Sequence, residues 1–224
     1  MHNPALRNKF FPIVTPLKWD KWHKLLKEAD GLDKFVEVPK RLHDGFHLSS
    51  TFTVDSFYMP PNHCSALDNP TAINNCITKE MAAGCYSEPY NLTMLGQQIG
   101  YFCTLPIGVV HKDGKDCIIN DHSWLRSDPN VFSINSQIDA DTFPSDCSTF
   151  LDCLMRVANA PPGTQASIFD VDAAYHRMPI APEDQHYVAI TWNGNVHIDP
   201  NFSFGVSSFP GVFRHVANAI AFIF

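Results

Sequence analysis

Between Thr15 and Ala29, apolar side chains recur every three or four residues (Trp19, Trp22, Leu25, Leu26, Ala29), and Lys18, Lys21, Lys24 and Lys27 fill the remainder. That period predicts an amphipathic helix with the Trp pair turned to the core. From Leu42 to His63 no period holds, and the stretch reads as loop with at most one strand. Residues 69–84 are better punctuated: Asn69 can cap, Pro70 suits the first helical position, Ile73, Ile77 and Met81 share a face, and Gly84 ends the helix. Leu105 to His111 is an apolar, β-branched run that meets the turn Lys112-Asp113-Gly114-Lys115 and then Cys117-Ile118-Ile119, a β-hairpin pattern. A helix from about Ser145 to Ala158 is expected to bury Phe150, Leu151, Leu154 and Val157, with Pro161-Pro162-Gly163 ending it. A strand is expected over 166–171, leading into Asp172-Ala173-Ala174-Tyr175. A second hairpin should turn at Asn193-Gly194, and a helix opened by Pro210 should run apolar to Phe224.

Composition changes this picture in two ways. Charged residues are only 17% of the 224, against roughly 25% in an average soluble protein, so part of the surface is expected to be covered. The net charge of −7 is also uneven: residues 1–41 hold nine Lys/Arg and five Asp/Glu, whereas 42–224 hold seven and eighteen, a balance of −11. That balance opposes strong binding of a polyanion by the larger part. The seven cysteines, at 64, 76, 85, 103, 117, 147 and 153, include no Cys-x-x-Cys spacing, which argues for a reduced chain rather than a zinc or redox dithiol motif. No leader and no apolar run of about 20 residues is evident. The expectation is an intracellular protein, cytoplasmic or nuclear, with no membrane partner and an idle sequon at Asn91-Leu92-Thr93.

Phosphate-loop, dinucleotide, zincin and nucleophile-elbow motifs are all absent. His43 and His47 could share a helix face but lack an evident third ligand. A thiol hydrolase would need a nucleophile with a recognisable neighbourhood, and no cysteine has one. Asp170 stands out because a carboxylate closing an apolar strand is costly unless a cation or hydrogen bonds satisfy it. Such an aspartate is still more often a cap or turn former than a metal ligand.

The order of segments adds to this. Ile77-Thr78-Lys79-Glu80-Met81-Ala82-Ala83-Gly84 with Glu88-Pro89-Tyr90, then Leu105 to Lys112 with Gly114-Lys115, Ile119-Asn120-Asp121-His122-Ser123 and Ser133-Ile134-Asn135, resemble the fingers of retroelement reverse transcriptases. The likeness is closest to the tyrosine-recombinase (DIRS-like) type. Phe169 to Pro182 resembles that family's first palm motif, and Asn201 to Pro210 resembles its second. The resemblance runs from about Leu32 to Phe224.

It implies an α+β fold, right-hand polymerase fingers with a partial palm, truncated before the second metal-binding motif and thumb. A helical and loop extension would occupy 1–68, and the reverse-transcriptase-like part 69–224. Asp170 would be the catalytic carboxylate and, with the Val171 carbonyl, a ligand of Mg²⁺. Tyr175, Phe204 and Gly205 would line the incoming nucleotide, with Lys112 reaching its phosphates. Template-primer and dNTP are the partners implied. Asp116-Cys117 stands where the family has Trp-Arg, Ser203 where it has proline, and Phe209 where it has alanine. No Tyr-x-Asp-Asp occurs before the sequence stops at Phe224. The chain is therefore expected not to polymerise by itself. The rival expectation is a decayed or domesticated retroelement protein that acts by binding or has no function. The apolar run Ala219 to Phe224 is expected to leave a patch able to self-associate.

Overall fold

The computed structural model describes residues 9–50, 53–124, 133–139, 149–166 and 170–223. Three helices open it: α1 (Trp19–Glu28), α2 (Leu32–Phe35) and α3 (Glu37–Asp44). The period of α1 holds, but its buried residue is Leu26. Trp19 is 46% exposed and sets its ring edge-on to His43 at 5.0 Å, so its expected core role is corrected, whereas Trp22 is partly buried against the core. The stretch read as loop also starts inside α3, where Val38, Pro39 and Leu42 are buried. Helices this short offer too few turns for a period to register.

α4 (Cys64–Asp68) and α5 (Pro70–Ala82) follow. α5 begins on Pro70 as expected and buries Ile73 and Ile77. Asn69 sits at its cap position, yet its amide donates to the Ser65 carbonyl at 2.9 Å instead of capping. The helix closes in a Schellman motif: Gly84, at φ +74°, donates to the Met81 carbonyl at 3.0 Å, and Cys85 donates to the Glu80 carbonyl at 2.8 Å.

The main sheet has the order β1–β6–β5–β2, from β1 (Tyr90–Asn91), β2 (Thr104–Leu105), β5 (Ala189–Trp192) and β6 (Asn195–Ile198). β5 and β6 form the expected hairpin, with Asn193 and Gly194 both at positive φ, and β2 joins β5 in parallel. Side-chain alternation then divides the interior. Ile190 and Trp192 face the larger core with α1, α3 and the terminal helix, while Ala189, Val196 and Ile198 face Phe10, Phe11, Leu95 and Phe102. α6 (Leu92–Ile99) supplies Leu95.

The other hairpin, β3 (Ile107–Lys112) and β4 (Lys115–Asn120), stands apart as a two-stranded sheet. Its turn residues Asp113 and Gly114 are at positive φ, and Lys112 and Lys115 are exposed.

α7 (Phe150–Ala158) forms with a capping box, in which Thr149 and Asp152 bond each other's backbone. The burial expected of it is corrected: Phe150 is 83% exposed, Leu151 62%, Leu154 49% and Val157 72%. A helical period is a local property, whereas burial needs a partner. The expected start of this helix, at 145–148, lies outside the described residues.

The last helix, α8 (Phe209–Ile223), buries Phe209, Val212, Val216 and Ala219. Its apolar end is partly covered, because Phe222 packs against Phe35 at 5.3 Å with the Lys34 ammonium over the ring. Phe222 keeps 41% exposure.

One extended thread ties these parts together. Phe46 donates to the Pro179 carbonyl at 2.8 Å, and Ala181 donates back to Phe46 at 2.9 Å. On the other edge, Ile180 donates to Pro200 and Phe202 donates to Met178. Gly45 makes the first contact possible: at φ +91°, a Cβ there would lie 2.3 Å from the Ala181 Cα. Gly45→Ala should therefore lower the urea-unfolding free energy by roughly 3 kcal/mol or more. Gly114→Ala, also at positive φ but in open space, should cost about 1–2 kcal/mol. Equal losses in the two variants would contradict this account.

Candidate functional site

The thread positions a short 3₁₀ turn, Tyr175–Arg177, at its leading end. The Tyr175 ring lies 3.8 Å from that of Phe204 and 3.8 Å from that of Phe209, centroid to centroid. Phe209 is fully buried at the start of α8, whereas Phe204 is 70% exposed. An aromatic column thus runs from the core to solvent, with Tyr175 touching both ends. Three residues singled out by sequence, Tyr175, Phe204 and Gly205, are brought together here.

Gly205, at φ +104°, lies against the base of the β3–β4 hairpin, where a Cβ would meet His122 and the Asn120 carbonyl at 3.5–3.6 Å. Asn135 clamps this turn. Its amide donates to the Gly205 carbonyl at 2.6 Å and its side-chain carbonyl accepts from the Ser207 N–H at 2.9 Å. Its backbone N–H bonds the His122 carbonyl at 3.0 Å. His122 Nε2 and Ser203 Oγ share a hydrogen bond of 2.8 Å. The polar residue at 203, where the resemblance expected proline, is thus used to fasten the 201–210 segment to the hairpin.

Lys112 is at the other end of that hairpin, paired opposite Lys115, about 17 Å of strand from the base at roughly 3.3 Å per residue. Cys117, standing where a guanidinium was expected, is exposed, and its neighbour Asp116 is bonded to His111. Asp170 and Val171 are both irregular; Asp170 is exposed and Val171 half-buried. The centre of the strand expected there, 167–169, lies outside the described residues. Beyond it, Asp172 pairs with Arg177 at 3.1 Å. Asp170 is a hard oxygen donor of the type Mg²⁺ takes, and one or two carboxylates plus phosphates and waters suffice for one ion. A two-ion clamp needs more, and among the described residues Asp170 belongs to no group of three possible ligands.

A second constellation escaped the sequence reading. Glu80, Cys85 and His176 place one ligand atom each within 4.8 Å of one another. His176 Nδ1 is 3.2 Å from Glu80 Oε2. Hydrogen bonds to Cys85 and then Glu80 push His176 up to about 10, and the bond from His176 holds Glu80 below its usual range. Beside them Asp199 is fully buried, which pushes its carboxyl up to about 7. Glu80 and His176 open onto a cleft of about 430 Å³ that is also lined by Lys79, Asn120 and Phe204. Linear spacing carries no signal for a cluster whose third member arrives from a distant segment. His43 and His47 are engaged elsewhere, with Asp44 and Asp184 respectively. A larger depression of about 650 Å³, between α3 and α8, is lined in part by His47 and touches none of Lys112, Asp170, Val171, Tyr175, Phe204 and Gly205.

No protein-family model matches the chain, and no curated protein matches it. Among solved structures, the foamy viral protease-reverse transcriptase in complex with an RNA/DNA hybrid is similar with a TM-score of 0.50 at 15% identity, over 99% of this chain. The same viral protein in complex with double-stranded DNA gives 0.48 at 17% identity, over 97% of this chain and 41% of that one. At such identity the first likeness is one of fold: the chain has a reverse transcriptase-like fold. It spans 27% of the length of that structure's chain.

Burial brings His122 down to about 4. The unfolded histidine takes its proton near 6.5, so this burial contributes stability that is complete above that pH and is lost as pH falls toward 4. The loss is on the order of 3 kcal/mol. Urea midpoints at pH 7, 5.5 and 4 should fall more steeply for the wild type than for His122→Asn. Parallel curves would refute the assignment.

Proposed function

We propose that this chain is a retroelement-derived, reverse-transcriptase-type module, fingers and partial palm, that binds nucleic acid and does not polymerise by itself. The observation that carries this reading is the Tyr175–Phe204 contact at 3.8 Å, set beside the Gly205 turn at the base of a protruding hairpin. The contact joins two sequence blocks that resemble the palm motifs of RNA-directed DNA polymerases, within a fold of that kind. In this reading an incoming nucleotide would lie against Phe204 and Gly205, with Tyr175 beside the sugar. Asp170 and the Val171 carbonyl would hold one Mg²⁺. The ion would supply charge neutralisation at the phosphates. Lys112 would approach those phosphates from the hairpin.

A non-catalytic reading is favoured by two observations: residues 42–224 carry the balance of −11, and Cys117 stands in the place of a triphosphate-gripping arginine. Both weaken the hold on polyphosphate.

Fluorescence anisotropy with a labelled RNA/DNA hybrid tests the binding. Affinity on the order of 10⁻⁵ M at low salt is expected, falling as salt rises. Lys112→Ala and Lys115→Ala should each reduce the salt slope by about 1 if the lysine pairs with a phosphate. No saturable binding at low salt would overturn the proposal in favour of a chain without this function.

Primer extension with Mg²⁺ or Mn²⁺ should stay at background for the 224-residue chain. Phosphoryl transfer relies on positioning and charge stabilisation, so one carboxylate without its partners loses most of the effect. Incorporation that Asp170→Asn abolishes would show that a complete site is present.

A further inference from the structure

We propose that Glu80, Cys85 and His176 form a binding site for one divalent ion of the zinc class, with its fourth position open to the cleft beside Phe204. The site is independent of the nucleic-acid reading and uses none of the residues assigned to nucleotide or Mg²⁺.

The geometry begins with the end of α5. A Schellman motif brings together the side chains of the third residue from the helix end and the second residue beyond it, and these usually make an apolar contact. Here they are Glu80 and Cys85, held by the 2.8 Å bond from the Cys85 N–H to the Glu80 carbonyl. A carboxylate and a thiol are thus presented by one rigid turn. His176 comes from the 3₁₀ turn, which the hydrogen-bonded thread fixes from behind.

Zinc bonds of about 2.0–2.3 Å in a tetrahedron set neighbouring donors roughly 3.3–3.7 Å apart. Nδ1 and Oε2 stand 3.2 Å apart, and all three donor atoms lie within 4.8 Å, so closing around an ion needs movements of about 1 Å. The side chains of Glu80 and His176 keep 13% and 29% exposure, enough for entry and too little for full hydration. A mixed oxygen, nitrogen and sulfur donor set selects a borderline metal over Mg²⁺. Three protein ligands with an open position is the arrangement of a site that retains water. Binding would release the Cys85 thiol proton and the proton between His176 and Glu80 to solvent.

Cobalt is the probe, because thiolate ligation to Co²⁺ produces a near-ultraviolet charge-transfer band and a tetrahedral site produces intense visible bands. Titration of the reduced 224-residue chain with Co²⁺ should saturate both at one equivalent, and Zn²⁺ should bleach them. Cys85→Ser should lose the charge-transfer band, and His176→Gln should lose saturation at one equivalent. Cys76→Ser, which alters a thiol of the same cleft outside the triad, should keep both. Far-ultraviolet circular dichroism confirms that each variant is folded, and Cys85→Ser, the mildest change, carries the test if His176→Gln is not. The proposal is overturned by absence of the band in the wild type, by its survival in Cys85→Ser, or by equal loss in Cys76→Ser. Failure of hybrid binding leaves these outcomes untouched, so the two readings fail separately.

Discussion

The fold depends on the thread from Met178 to Ala181 being hydrogen-bonded on both edges while its side chains are buried. Phe46 holds one edge, Pro200 and Phe202 hold the other, and Met178, Ile180 and Ala181 are each no more than 1% exposed. A backbone segment can be taken from water at this depth only if its amides and carbonyls find partners. The partners come from residues near 46 and near 200, so three distant parts of the chain must meet for any of them to be satisfied. Further ties from Thr15 to the Arg177 carbonyl and from Gln185 to the Pro12 carbonyl bring the N-terminal strap into the same knot. Everything the candidate site uses hangs from this arrangement: Tyr175 and His176 on one side, Ser203 to Gly205 on the other.

The second constraint is polar. His122, Ser203 and Asn135 bind the hairpin base to the turn at 203–207 through hydrogen bonds at the floor of the site. Such a network specifies one register, because slippage would strand groups that are costly to bury unpaired. It also explains why a hairpin that forms its own two-stranded sheet is still fixed at its root while its lysine-bearing tip stands in solvent.

Where structure is encoded locally, the sequence was readable. The two hairpins announce themselves in Asp113-Gly114 and Asn193-Gly194, where the backbone needs positive φ, and α5 in Pro70 and Gly84. The short helices α2 and α3 were missed because neither completes enough turns to show a period. α7 was recognised as a helix, yet its apolar face was assigned a burial it lacks, since amphipathicity states which face is apolar and not what lies against it. Trp19 misled for a related reason: a large ring can cover a neighbouring histidine while remaining half in water. Motif order singled out Tyr175, Phe204 and Gly205 together, and their proximity is set by the thread. It gave no hint of Glu80, Cys85 and His176, because that meeting depends on how α5 ends relative to a turn far along the chain.

That meeting bears on the first site as well. Tyr175 and His176 are adjacent in a three-residue turn with no side-chain cap. The thread and the Thr15 bond hold it from behind, and its two side chains add contacts in front: Tyr175 the aromatic column, His176 the carboxylate of Glu80. Ordering a residue costs about 1–2 kcal/mol of backbone entropy, and contacts on both sides of so short a turn share that cost. A proton or an ion that tightens the Glu80–Cys85–His176 group therefore also narrows the freedom of Tyr175. Conversely, any ligand stacked against Phe204 that steadies Tyr175 steadies His176. The two proposed sites are chemically distinct but share this turn, and any coupling between them would be reciprocal.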